Sequence, residues 1–141
     1  MCGHSYYDKD MFGHHNPLNI DSDYNYYIRC IDRFRNMLRS QERKLFITTA
    51  LNLNDDINNL TYLKQKMSEF NSKFSKYTTN YILLVIIHIK NKNENKHIFT
   101  YNDNIHFLEL HTLSISNGVE FVNNNDNNYL DDIIKSTYKL V

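Results

Sequence analysis

One stretch limits the fold more than any other. Tyr81–Ile89, YILLVIIHI, is aliphatic at nearly every position, and such a run is strand-length, far short of the ~20 residues a membrane helix needs. An amphipathic strand alternates apolar and polar residues, so a continuous run predicts a strand covered on both faces. The flanking sequence agrees. Lys44–Leu51, KLFITTAL, is short, apolar and partly β-branched, and reads as a strand. Between the two, Ile57, Leu60, Leu63, Met67, Phe70, Phe74 and Tyr77 fall at helical spacing. Asp55 and Asp56 suit the first turn of that helix, where acids favour the dipole. Strand, helix and buried strand make a βαβ unit, with adjacent parallel strands and a right-handed crossover.

Upstream, Pro17 keeps Asn16 out of helical geometry and marks a turn. Asp21, Ser22 and Asp23 offer N-caps for a helix through about Ser40. Its stripe is Tyr24, Tyr27, Ile28, Ile31, Phe34 and Leu38, and Arg29, Arg33, Arg35 and Arg39 project from the other half of the wheel. Arg43 continues that line if the helix persists. Downstream, His97–Tyr101 and Ile105–Ile115 read as further strands about the turn residues Asn102–Asn104, and a helix begins near Asn127. The expected architecture is α/β: a single three-layer domain over residues 12–141, with a mainly parallel sheet and helices on its faces. Residues 1–11, polar and without period, form an irregular or extended lead-in.

Composition excludes several classes. The 141 residues carry 16 cations, 16 carboxylates and no formal net charge, so no global field draws the chain to nucleic acid or to an anionic membrane. The first ten residues, MCGHSYYDKD, lack the basic and apolar regions of a signal peptide, and a cytoplasmic location is the expectation. Three glycines make no Walker loop, GxGxxG or GxSxG elbow. No cofactor is implied. Cys2, His4, His14 and His15 are metal-ligand types, but their spacing matches no common zinc module, and no metal is expected. Cys2 lies in the lead-in and Cys30 in mid-helix. Spacing sets no cation beside either, so both are expected to be ordinary thiols.

Histidine remains as the chemistry-bearing residue. His14 and His15 precede the proline turn, and His88 falls at the carboxyl end of the buried strand, where open parallel sheets hold their ligands. These three are the catalytic candidates, each set against a hydrogen-bonded structural imidazole. Arg29 and Arg33 on the helix, with Asn52 and Asn54 in the polar break after the first strand, are the binding candidates. For the arginines the bland reading is a solvated face.

FGHHNP, YNYYIRCIDRFRNMLRS and KLFITTAL, followed by the strand ending in His88 and by DNNYLDDII, resemble a papain-like cysteine peptidase family. It is a domain family of unestablished function from bacteria and large DNA viruses of protists. The resemblance runs from about Phe12 to the end and is closest to viral members, which implies the host cytoplasm. Family members begin with a strand and a glycine-asparagine-cysteine motif that this sequence does not contain, and Cys2 does not stand in a matching context. The resemblance therefore implies a truncated, peptidase-inactive domain with a retained binding role in a cleft lined by His14, His15 and His88. It leaves room for a protein partner that supplies or replaces the missing segment. Two other readings stand beside it: an active transferase or hydrolase on a phosphorylated or sugar substrate, and a structural or interaction protein with tyrosine-rich surfaces.

Overall fold

The structure is a computed structural model describing residues 2–4, 8–12, 15–90 and 92–139. It divides into two compact units, Met1–Gln41 with Tyr77–Thr79, and Glu42–Lys76 with Asn80–Val141. No helix of the described residues is long and apolar enough to cross a membrane.

In the first unit the lead-in holds two short strands, β1 (Cys2–His4) and β2 (Asp8–Phe12), paired antiparallel. The turn at Pro17 is present, and its Asn16 carbonyl accepts from the backbone N–H groups of Asn19 and Ile20. Helix α1 follows over Asp21–Arg39. Its N-cap residue is Ile20, which offers no side-chain cap. Asp23 instead turns back to accept from the Asn16 N–H at 2.7 Å. That hydrogen bond, opposed by desolvation and aided by His15, holds the Asp23 carboxyl below the usual range. The apolar stripe forms as spaced, yet no residue of α1 is buried. Ser40 is extended and ends the helix, so Arg43 does not continue the arginine face.

The second unit is built on a four-stranded sheet of β3 (Lys44–Leu53), β4 (Tyr81–Ile89), β5 (Lys96–Asn102) and β6 (Ile105–His111), in the order β3-β4-β6-β5. β3 and β4 are adjacent and parallel, Lys44 beside Tyr81, as the βαβ pattern requires. β6 is also parallel to β4, but β5 runs antiparallel to β6. The sheet is therefore mixed, not mainly parallel. The cause is local: only Asp103 and Asn104 separate the register pair Asn102–Ile105, and a two-residue loop can join antiparallel strands alone. Asp103 takes the positive φ, 50°, that such a turn needs.

β4 is the axis of the core, and its side chains alternate between two clusters. Leu83, Val85, Ile87 and Ile89 pack with Leu60, Leu63, Met67 and Phe74 of α2 (Ile57–Phe74). Leu84 and Ile86 pack with Leu108, Leu110, Ile133 and Ile134, the last two from α3 (Asn124–Thr137). Both helices start on a side-chain cap, Asp56 accepting from the Asn58 N–H and Asn123 from the Asn125 N–H. Asp56 is thus the N-cap of α2 rather than a first-turn residue, and Asp55 lies before it, paired with Lys92 at 2.6 Å.

Candidate functional site

At the carboxyl ends of the parallel strands, His88 is completely buried. The Asn52 N–H donates to its Nδ1 at 3.0 Å, so the ring proton sits on Nε2. That proton faces Thr112 Oγ1 at 2.6 Å, and the Thr112 hydroxyl passes its own hydrogen to the Ser114 carbonyl at 2.7 Å. Phe121 packs edge-on at 4.8 Å. Burial lowers the imidazole's pKa, partly offset by the Ser114 backbone and Asp126. His88 is a neutral ring with both nitrogens occupied, the arrangement of a structural histidine.

The same edge is tied by Asn52. Its backbone takes φ 58°, and its side-chain amide pairs with the Ser116 backbone in both directions, at 2.7 and 2.8 Å. The buried Asp126 carboxylate accepts from the Ser114 N–H and hydroxyl at 2.9 and 2.6 Å. Polar side chains at this edge hold the 112–121 loop. Asn54 is exposed, and its backbone carbonyl accepts from the Asp56 N–H.

His15, Arg29 and Arg33 belong to the first unit, and His14 lies outside the described residues. His15 stacks on Tyr26 at 5.5 Å and approaches Asp23 at 3.5 Å. Arg29 and Arg33 are exposed. Arg33 donates to the Cys30 thiol at 3.2 Å, so Cys30 does have a cation beside it, at the i,i+3 spacing that faces two side chains together on a helix. The Tyr26 hydroxyl also bonds this sulfur, which raises the tyrosine's pKa.

An open cavity of about 1020 Å³ lies at the other end of the sheet, where β3 and β4 begin. Leu45 and Ile82 line it from the face that carries α3. Arg43 and Lys44 enter from the start of β3, and Lys139 follows the end of α3. Among the described residues Glu42 is the one lining carboxylate, and Lys44, paired with Tyr81 of the cluster on α2, turns its side chain to the other face of the sheet. Lys44 is buried and donates to the Glu42 carbonyl at 3.1 Å. Arg43 and Lys139 make no ion pair among the described residues. The aromatic wall is Tyr101, His106 and Tyr138. His106 Nδ1 lies 2.7 Å from the Tyr138 hydroxyl, with the rings stacked, and Tyr101 meets His106 edge-on at 4.8 Å. Burial lowers the His106 pKa and pushes that of Tyr138 up to about 12. Both groups are therefore neutral near pH 7, which leaves Arg43, Lys139 and Glu42 to set the cavity's charge.

None of these residues is among the catalytic and binding candidates of the sequence, where Arg43 enters only as an extension of the helical arginine line. One link was accessible: a two-residue turn at Asp103-Asn104 pairs Tyr101 with His106. Nothing periodic connects Arg43 or Tyr138 to that hairpin. Comparison of the chain with protein-family models, with curated proteins and with solved structures gives no match.

Proposed function

We propose that this protein is a binding domain without peptidase activity, and that its ligand is a small anionic molecule held in the cavity at the start of β3 and β4. The observation that carries the reading is the charge of that cavity, where Arg43 and Lys139 stand against Glu42 as the one carboxylate among the described lining residues. Arg43 and Lys139 have no carboxylate partner among the described residues, so their charges are available to an incoming anion. The end of α3 contributes carbonyl groups there, which disfavour anions. The cations rather than the helix dipole therefore provide the attraction.

The resemblance to the papain-like cysteine peptidase family is consistent with an α/β domain and adds no nucleophile. A papain-like mechanism needs a thiolate paired with an imidazole. The hydrogen-bond partners of Cys30 are Arg33 and Tyr26, and both nitrogens of His88 are engaged elsewhere.

Titration calorimetry with inorganic pyrophosphate tests the binding role. The wild type should bind, more weakly as salt is raised, and the double variant Arg43→Ala/Lys139→Ala should bind about tenfold more weakly or worse. Equal affinity in the two proteins would remove the cavity from the reading. Labelling by an electrophilic peptidase probe that disappears in Cys30→Ala would instead restore a peptidase.

A further inference from the structure

The start of β3 and Tyr101 stand at opposite margins of one sheet, with His106 and the end of α3 between them, and that separation restricts what can touch both. Arg43 and Lys44 lie at β3 and Tyr101 at β5, the two outer strands in the order β3-β4-β6-β5. Three strand spacings of ~4.8 Å put these margins ~14 Å apart. The registers add an offset along the strands. Lys44 pairs with Tyr81, whereas Tyr101 pairs with His106 and His106 with Leu84, so Tyr101 stands three residues further along, or ~10 Å. A compact anion cannot reach from one margin to the other. An elongated one can, with its charge at the β3 end and a flat group at the β5 end.

Tyr101 is suited to a flat group. It is 57% exposed although it lines the cavity. Its ring is nonetheless fixed, stacked on Phe99 at 5.3 Å and 8° and met edge-on by His106 at 4.8 Å. An exposed aromatic ring held by two others is a stacking platform with little rotamer freedom to lose, and nucleobases stack on such rings whatever their identity. Lys139, following α3, lies on the same cavity as a further contact for phosphate.

We infer that the cavity binds a nucleoside di- or triphosphate, its base on Tyr101 and its terminal phosphates toward Arg43, with Lys139 as a second contact. The inference rests on the anion-binding reading above and extends it to a ligand class. Calorimetry on the intact protein with pyrophosphate, ADP and UDP separates the two. ADP and UDP should both bind about tenfold more tightly than pyrophosphate. Tyr101→Ala should erase that advantage and leave pyrophosphate unchanged, while Tyr101→Phe should retain it. Thermal unfolding of each variant checks that it is folded, as expected for an exposed side chain. If pyrophosphate binds as tightly as the nucleotides, or if Tyr101→Ala weakens all three alike, the base has no platform and only the anion site stands. If none of the three binds, both readings fall together.

Discussion

His88 and His106 carry the same electrostatic sign for different ends. Burial lowers the pKa of each below its ordinary 6.5. Both are therefore neutral in the fold, while in the unfolded chain they titrate near the ordinary value. Between the lowered and the ordinary pKa the unfolded chain holds more protons, so stability rises with pH there. The protein should keep constant stability above about pH 6.5, as far as these two groups decide it, and lose stability as the pH falls through their folded values. Urea unfolding at pH 7.5 and 5.5 measures the loss, and unchanged stability at 5.5 would contradict it. Truncation separates structural from exposed imidazoles. His88→Ala strands the Asn52 N–H and opens a cavity in the core, costing about 3 kcal/mol. His15→Ala removes an exposed ring and a long contact to Asp23, costing about 0.5 kcal/mol or less. A comparable loss in both would make His15 structural as well.

Among the elements, the end of β3 shows how one residue can set a loop. Asn52 combines a left-handed backbone with two side-chain hydrogen bonds to Ser116. Asparagine tolerates that backbone better than most residues, and glycine better still. Asn52→Ala loses both bonds and leaves a Cβ on a strained backbone, for about 2 kcal/mol or more. Asn52→Gly loses the same bonds without the strain, so it should be the milder change, contrary to what side-chain size suggests. Denaturant midpoints of the two variants decide this, and an alanine variant as stable as the glycine one would refute it. The elements themselves were largely legible. The aliphatic β4, the stripe of α2 and the parallel β3–β4 pair all follow from periodicity, because each is decided by which faces are buried. The antiparallel β5 follows from the short Asp103-Asn104 turn, which only antiparallel strands allow. The cavity was not. Arg43, the Tyr101–His106 hairpin and Lys139 come from three separate segments that only the folded sheet and α3 bring to one place, and the net charge of zero hides a local excess of cations.

At the scale of the whole molecule, burial is distributed very unevenly, and that distribution predicts where the structure opens first. From Leu83 to Ile89 no residue of β4 exceeds 4% exposure. The strand is hydrogen-bonded on both sides, to β3 and to β6. Its amides can exchange with solvent only when both apolar clusters come apart, which is global unfolding of the second unit, at a free energy of several kcal/mol for a domain of this kind. Helix α1 is the opposite case. None of its residues is buried, so opening one of its turns uncovers little apolar surface, and the tertiary packing that gives a protein helix most of its stability is small here. Hydrogen–deuterium exchange followed by mass spectrometry should therefore show the peptides of Tyr81–Ile89 as the slowest in the chain. Those of Asp21–Arg39 should exchange about a hundredfold faster or more. Denaturant should accelerate β4 steeply, because its opening exposes the most surface, and leave α1 nearly unaffected. Protection of α1 equal to that of β4 would mean that its apolar stripe is covered in solution, and the Tyr24, Ile28 and Ile31 side chains would then belong to a core.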